Sequence, residues 1–397
     1  MLLIMPALFP ESLGGAERQC QILAPALRRI GWTVDVLSPT TDPEQPSTID
    51  DNGVRISRLF LPHYPNLGGR YLLSFLSWTA RATLWIGKRR DQYDVIYVFH
   101  ARLHAAPAAI ASVLFRIPLF IKPGRGGRTF DFVSLREKRF LYGRAVESLI
   151  RTANARFVAN SPEISGDLAH AKISTNRIAL IPNGVVQPSQ TETAEFLTGR
   201  QGRIFLFAGR LAPEKNVDRL IAAFGQLMHR LPSTSLWIAG DGASFDVLKA
   251  QATKLDPTGA RIRLLGEVHD MKALYAQSDF FVSASDAEGQ SNALLEAMAH
   301  ANVPIVFEAS GTRGLVIEGQ SGFLLHSIDP EIIAGVLERA AALDADRRCE
   351  MAMAAYSSLA ETHGIDAIAR RTSEWMISTL RVPQSSMVNT RQSASAV

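Results

Sequence analysis

Two runs in the second half of the chain hold residues suited to anion chemistry. In Ala208-Gly209-Arg210-Leu211-Ala212-Pro213-Glu214-Lys215-Asn216, an arginine and a lysine stand five residues apart behind a glycine. A guanidinium can fork onto two phosphate oxygens, and an ammonium adds a compact charge. Two solvated surface cations would share that spacing. Asn216 is suited to cap the helix that follows. The run is not a GxxxxGK[ST] loop, which disfavours a nucleoside triphosphatase. The second run is Asp286-Ala287-Glu288-Gly289-Gln290-Ser291-Asn292-Ala293-Leu294-Leu295-Glu296-Ala297-Met298. A polar glycine loop opening a helix presents backbone N–H groups to an anion. Glu288 lies in the loop and Glu296 about one turn into the helix. One acid can meet a group beside the anion while the other reaches hydroxyls further along. That pattern suits a polyhydroxylated, phosphate-bearing ligand, and with no His beside the acids it does not suit a metal. Either acid alone could equally be a helix-start carboxylate favoured by the dipole.

The first half has weaker signals. Gly14-Gly15-Ala16-Glu17 opens a helix after the first strand, where adjacent glycines admit a close ligand or simply make a turn. His100, in Phe99-His100-Ala101-Arg102-Leu103-His104, ends a strand and could donate a hydrogen bond or a proton, or be structural. His104 is the weaker candidate. Between Lys122 and Arg144, seven basic residues (Lys122, Arg125, Arg128, Arg136, Lys138, Arg139, Arg144) face only Asp131 and Glu137, interleaved with Phe130, Phe132, Phe140 and Tyr142. Such a segment can rest on anionic lipid headgroups, hold a lipid diphosphate, or be a solvated helix face. No nucleic-acid motif accompanies it.

These residues need strand ends to position them. Short β-branched runs alternate with amphipathic stretches, the pattern of βαβ crossovers and parallel sheets. Strands are expected at Leu2–Ala7, Thr33–Leu37, Val54–Phe60, Val95–Phe99, Leu119–Lys122 and Arg156–Ala159. Helices are expected at Gly15–Arg29, Tyr71–Arg89, His104–Phe115 and Val133–Thr152. The pattern restarts with strands Ile204–Ala208, Ser235–Ala239, Ile262–Leu265, Phe280–Ser283 and Pro304–Phe307, and helices Val217–His229, Phe245–Ala252 and Asn292–Ala299. Ligands of such sheets bind at the carboxyl ends of the strands, where the four candidate regions fall. The expected division is an N-terminal domain 1–182, a linker 183–202, a second domain 203–365, a C-terminal helix 366–382 packing back toward the first domain, and a disordered tail 383–397.

Composition agrees with two full cores. The 397 residues are 47% hydrophobic and 20% charged, which excludes disordered, collagen-like and coiled-coil chains. Two distant cysteines, Cys20 and Cys349, argue against a disulfide framework or cysteine-based zinc and fit a reducing compartment. The N-terminal MLLIMPALFP lacks a basic n-region and reads as a buried strand. The nearest approach to a membrane span, Tyr71 to Gly87, carries Arg81 in its middle. The net charge of +4 divides into +9 over residues 1–190 and −5 over 191–397.

At these residues the chain resembles the retaining glycosyltransferases of family 4. The resemblance runs from Gly14-Gly15-Ala16-Glu17 through Ile181-Pro182-Asn183-Gly184-Val185, Gly209-Arg210-Leu211, Glu214-Lys215-Asn216, Ala239-Gly240-Asp241-Gly242, Leu265-Gly266-Glu267-Val268 and the Glu288/Glu296 pair to Ser321-Gly322-Phe323-Leu324. It implies the GT-B architecture, two facing Rossmann-like α/β domains with parallel sheets and an inter-domain cleft. It implies a nucleotide-diphosphate sugar as donor substrate, no required cofactor and no essential metal. Arg210 and Lys215, behind Gly209, would stabilise the departing nucleotide. Backbone groups of Gly289, Ser291, Asn292, Ala293 and Leu294 would meet phosphates and sugar, Glu288 the sugar hydroxyls and Glu296 the ribose. Gly266 and Val268 would line the base, and Gly15 would approach the donor from the first domain. Many members have a His after the strand that here ends at Lys122, so Lys122 or His100 is expected to supply that domain's catalytic contribution. The expected function is transfer to a glycan or lipid-linked acceptor in surface polysaccharide or glycolipid synthesis. The expected location is cytoplasmic, on the inner face of an anionic membrane, without nucleic acid. The alternative is a non-catalytic nucleotide-sugar-binding or assembly subunit. A nicotinamide-dependent dehydrogenase is disfavoured because no GxGxxG follows either domain's first strand.

Overall fold

The computed structural model describes residues 1–8, 14–65, 71–138, 141–200, 203–285, 290–308, 311–312, 314–360 and 362–380. The chain divides into two compact units, Met1–Ile181 with the return segment from Ile368, and Pro182–Ala367.

The first unit runs β1 (Leu2–Ile4), α1 (Gly15–Arg29), β2 (Asp35–Thr40), β3 (Thr48–Asp51), β4 (Val54–Phe60), α2 (Leu72–Gly87), β5 (Ile96–Phe99), α3 (Ala106–Phe115), β6 (Leu119–Lys122), α4 (Asp131–Arg136), α5 (Tyr142–Thr152), β7 (Arg156–Ala159), α6 (Pro162–His170) and β8 (Ile178–Leu180). Its eight-stranded sheet has the order β3-β4-β2-β1-β5-β6-β7-β8, and β3 alone is antiparallel to its neighbour. Central strands are apolar on both faces because helices cover both: every residue of β5 (IYVF) and β6 (LFIK) is buried.

The second unit contains α7 (Gln190–Gly199), β9 (Arg203–Ala208), α8 (Val217–Leu227), β10 (Thr234–Ala239), α9 (Phe245–Leu255), β11 (Ile262–Gly266), α10 (Met271–Gln277), β12 (Phe280–Ser283), α11 (Asn292–Ala299), β13 (Val303–Phe307), β14 (Phe323–Leu325), α12 (Pro330–Ala341) and α13 (Ala345–Ala360). Its sheet is all parallel in the order β11-β10-β9-β12-β13-β14. A last helix, α14 (Ile365–Leu380), starts here and continues into the first unit. There Ser373 accepts from the Trp32 indole at 2.8 Å, and Arg371 donates to Leu180 O.

Several local expectations change: the strand expected over Leu2–Ala7 stops at Ile4, and the one expected over Thr33–Leu37 runs Asp35–Thr40. The single helix expected over Val133–Thr152 is two, α4 and α5, and Leu141 before α5 takes a left-handed conformation (φ 62°). The pair packs so closely that a Cβ on Gly143 would lie 1.9 Å from Leu135 O. Within the polar stretch 182–202 stands α7, started by a reciprocal cap between Ser189 and Glu192.

Candidate functional site

Three loops of the second unit are knit through their backbones at the carboxyl ends of β9, β10 and β11. Gly209 N donates to Ala239 O at 3.0 Å, Leu211 N to Asp241 O at 2.8 Å, and Gly240 N to Gly266 O at 2.7 Å. Gly209 and Gly240 have φ of +154° and +138°, and a Cβ on Gly240 would sit 1.9 Å from Gly209 O. Only glycine lets these loops approach so closely.

The β9 loop is also fastened to the loop after β12. Asn216 Nδ2 donates to Ala284 O at 3.0 Å, and Ser285 Oγ to Glu214 O at 3.3 Å. This corrects the expected role of Asn216. It occupies the N-cap position of α8 in a left-handed conformation, but its side chain ties the two loops and makes no cap bond. Lys215 is half-buried in a 3₁₀ turn, and Arg210 is 58% exposed with Glu214 Oε1 3.2 Å away. An exposed pair of that kind is weak, so an incoming anion can displace Glu214 from the guanidinium.

The β12 loop leads into α11, where Ser291 caps Leu294 N. Glu288 and Gly289 lie outside the described residues. Glu296, in the second turn, accepts from the hydroxyl of buried Tyr275 at 3.3 Å. Tyr275 stacks on His300, whose Nδ1 lies 2.7 Å from Glu296 O. A carbonyl can only accept, so Nδ1 carries the proton, and burial pushes the His300 imidazole down. Val268 and Ala293 pack on one apolar cluster with Tyr275 and Leu294. Gly209, Arg210, Lys215, Gly266, Val268, Ser291, Asn292, Ala293, Leu294 and Glu296 thus gather at the ends of β9, β11 and β12, as the Rossmann rule requires.

A polar node supports this region and was missed by sequence reasoning. Asn183 N donates to Gln290 Oε1 at 2.5 Å, and Asn183 Nδ2 to Asn292 Oδ1 at 2.9 Å. Gln290 Nε2 lies 2.8 Å from His363 Nε2. Val185 and Gly364 form a parallel bridge, so the segments by which the chain enters and leaves this unit both brace the start of α11. Asn183 in the Ile181–Val185 motif was the available signal.

In the first unit, Lys122 and His100 end paired strands, and His100 N donates to Lys122 O at 2.8 Å. His100 has φ of 67°, and a Cβ on Gly124 would lie 1.7 Å from its ring. Its Nδ1 stands 3.7 Å from Asp131 Oδ2, beyond hydrogen-bond reach. Burial would raise the Asp131 carboxyl, but His100 and Arg102 beside it, with the Gly124 N–H, hold it well below the usual carboxylate range. Asp131 also accepts from Ala101 N at 2.8 Å, which ties the β5 and β6 loops together. His104 is structural: wholly buried, with Nε2 2.7 Å from Phe99 O, its imidazole is pushed down to about 3 by burial. Gly15 is exposed at the first position of α1, and Glu17 folds back so closely that a Cβ on Gly14 would meet its Oε2 at 2.4 Å.

The basic aromatic segment is not one surface. Phe130 and Phe132 are core residues, Arg136 is held by Glu147 at 2.6 Å, and Lys122 is 5% exposed. Burial pushes the Lys122 ammonium down to about 7, and among the described residues no carboxylate pairs with it. The fold therefore favours a neutral amine, whereas the unfolded chain keeps an ordinary lysine. The penalty is complete below pH 7 and fades as pH rises toward 10.5. Lys122→Met is expected to stabilise the protein more at pH 6 than at pH 9, by about 2 kcal/mol between the two. Urea midpoints at both values measure this, and an equal gain at both would place Lys122 in the ordinary amine range.

Comparison with known proteins identifies the family. The family described as "Glycosyl transferases group 1" matches residues 189–357, and the "Glycosyl transferase 4-like domain" matches 14–184. The glycogen synthase of Mycobacterium tuberculosis is 30% identical over 358 residues, covering 82% of this chain and 81% of that protein. An Escherichia coli UDP-Gal:alpha-D-GlcNAc-diphosphoundecaprenol alpha-1,3-galactosyltransferase is 26% identical over 263 residues, 63% of this chain and 67% of that enzyme. Other curated relatives are longer than the matched stretch, and the chain spans 30% of one and 50% of another. Among solved structures, Anabaena HepE in complex with UDP and glucose superposes with a TM-score of 0.73 at 21% identity, covering 95% of this chain and 99% of that one. The chain belongs to the family 4 glycosyltransferases of GT-B fold.

Proposed function

We propose that this glycosyltransferase moves a sugar from a nucleoside-diphosphate donor to a glycan or lipid-linked acceptor, with retention at the anomeric carbon and without a metal, in surface polysaccharide or glycolipid synthesis. The observation that carries the reading is the fastening of the Arg210–Lys215 loop to the loop that opens α11. Breaking a glycosyl–phosphate bond builds positive charge on the sugar and negative charge on the leaving diphosphate. Arg210, Lys215 and the α11 N–H groups stabilise the second charge, and they are pre-placed for it. Glu296 takes the ribose, Gly266 and Val268 the base, and Glu288 the sugar hydroxyls. Gly15, Lys122 and His100 are the first unit's contribution. Lys122, whose ammonium burial pushes down to about 7, holds its proton more firmly when an anion arrives.

The E. coli relative acts on a polyprenyl diphosphate-linked sugar, and the mycobacterial one is a glycogen synthase. These names support a lipid-linked or glycan acceptor. The excess of positive charge in the first half suits work at the inner, cytoplasmic face of an anionic membrane. No helix among the described residues is long and apolar enough to cross one.

The test is a panel of nucleotide sugars offered with undecaprenyl diphosphate-linked saccharides and with glucan, in EDTA. Acceptor-dependent nucleotide release with an axial product linkage by NMR is expected from an axial donor. Donor binding by calorimetry without turnover against any acceptor would return the chain to the non-catalytic reading. Loss of activity in EDTA, restored by Mg²⁺ or Mn²⁺, would overturn metal independence.

A further inference from the structure

The helix that came nearest to a membrane span in the sequence has an unusual surface. One side of α2 is core: Ser74, Phe75, Trp78, Ala82 and Ile86 are buried. On the opposite side Leu73, Leu76 and Leu84 are 80%, 50% and 65% exposed. With exposed Ala80 between them, they recur at the spacing of a single helical stripe. Single exposed leucines are ordinary on a protein surface, but an aligned set marks a contact face.

Neighbouring elements extend the apolar area. A Cβ on Gly87 would lie 2.8 Å from the Phe115 ring, so the end of α2 rests on the end of α3, where Val113 and Leu114 are 46% and 63% exposed. At the other end Phe75 meets Tyr142 with ring centroids 6.0 Å apart, beside Leu141, which is 63% exposed.

Along α2 itself the charge is cationic, and the nearest exposed acids are Asp91 and Asp94 beyond its C-terminal end. No Asp or Glu occurs between Asp51 and Asp91, nor between Asp94 and Asp131. Arg81 and Lys88 flank the leucine stripe, and Arg89 and Arg90 follow. Arg89 lies over the Trp85 ring at 4.1 Å, and Arg90 has Asp91 at 3.6 Å. Arg81 reaches the Phe60 carbonyl at 2.6 Å, and Arg116 and Arg144 border the patch from α3 and α5. A 16-residue helix is about 24 Å long, short of the ~30 Å hydrocarbon core, and its inner side is committed to the unit's own core. It can therefore lie on a bilayer and cannot span one.

We propose that the outer face of α2 docks on an anionic lipid surface, with Leu73, Leu76 and Leu84 entering the headgroup boundary and Arg81 and Lys88 among the phosphates. An aligned leucine stripe bordered by Arg81 and Lys88 is complementary to an anionic lipid surface, which offers a continuous apolar layer beneath its phosphates. Of the 122–144 segment only its end, Leu141 and Arg144, adjoins this face, since Phe130 and Phe132 are core. The proposal rests on the membrane-side acceptor of the preceding section for its purpose. Lipid binding is measured without donor or acceptor, so the failure of one is separable from the failure of the other.

The experiment is co-sedimentation of the full chain with vesicles of phosphatidylcholine alone or with phosphatidylglycerol. Binding is expected to the anionic vesicles only and to fall with salt. The combined Leu73→Ser, Leu76→Ser and Leu84→Ser variant is expected to partition about tenfold or more weakly. Arg81→Gln with Lys88→Gln is expected to bind more weakly and with a flatter salt dependence. The triple leucine variant should keep the wild-type thermal midpoint because its changed residues are exposed, and Arg81→Gln with Lys88→Gln should lower it only slightly through loss of the exposed Arg81–Phe60 bond. Should the triple variant misfold, Leu84→Trp reads the same contact through a blue shift of its emission on anionic vesicles. Equal binding to both vesicle types, unchanged partition of the triple variant, or a dimer that the leucine changes dissolve while vesicle binding persists would each overturn the proposal.

Discussion

Lys215→Ala is expected to lower the rate of sugar transfer by about 10²–10³-fold, as loss of one pre-placed donor to a developing anion does elsewhere, with the thermal midpoint unchanged. The turn holding Lys215 is built by backbone bonds, Lys215 N to Ala212 O at 2.9 Å and Asn216 N to Pro213 O at 3.1 Å. Asn216 and Ser285 then fix it to the β12 loop. Removing the ammonium leaves that frame standing. The effect should fall on kcat with donor affinity changed far less, because the leaving diphosphate carries more charge in the transition state than in the bound donor. Arg210→Ala is expected to share the loss between KM and kcat, since its fork grips phosphate already present in the ground state. Arg210→Lys keeps the charge and loses the fork, so it should restore part of kcat and little of KM. Nucleotide release at saturating donor and acceptor measures all three. Full turnover by Lys215→Ala would remove this loop from the leaving-group role.

What the sequence made legible was local. Strands such as Val54–Phe60, Leu119–Lys122 and Phe280–Ser283, and helices such as Gly15–Arg29 and Asn292–Ala299, stand over their expected bounds. Their patterns are complete within a few residues. β3 (TIDD) is an exposed polar edge without alternation, and β8 and β14 have three residues each, too few to show a period. The start of α7 was written in the sequence as Ser189-Gln190-Thr191-Glu192, a capping box, but the flanking prolines and polar residues read as linker.

The site divides in the same way. That Gly209, Arg210 and Lys215 follow a strand end and Glu296 lies in the helix after another was legible, because strand-end placement is a local pattern. The cross-links that hold them are not, because their partners lie far apart in the chain. Asn216 is fastened to Ala284, Asn183 to Gln290 and Asn292, and Asp131 to Ala101. Nor does sequence show that Lys122 is buried with no carboxylate paired to it among the described residues, since that depends on every element packed around β6. The interleaved aromatics of 122–144 misled for the same reason: alternation does not say which side of a helix meets the core.

Gly240→Ala is expected to destabilise the protein by at least about 3 kcal/mol, although the change adds one methyl group. Two independent penalties coincide. At φ +138° an alanine is strained by its own backbone, and the new Cβ would stand 1.9 Å from Gly209 O. That oxygen is main chain, so no rotamer change can relieve the contact. Gly209 cannot retreat either, because its N–H is bonded to Ala239 O and Leu211 N to Asp241 O. Relief requires the β9 and β10 loops to separate, which carries Arg210 and Lys215 away from the β12 loop. Lower stability and weaker donor binding should therefore appear together. Gly335→Ala is the control: it lies in α12, exposed, with nothing within 4 Å of the added carbon. It is expected to stabilise by about 0.5–1 kcal/mol through helix propensity, with donor binding unchanged. Urea midpoints and donor calorimetry on both variants decide the matter. A Gly240→Ala protein with a wild-type midpoint would mean that these loops slide freely past one another, and the rigid placement of Arg210 and Lys215 would fail with it.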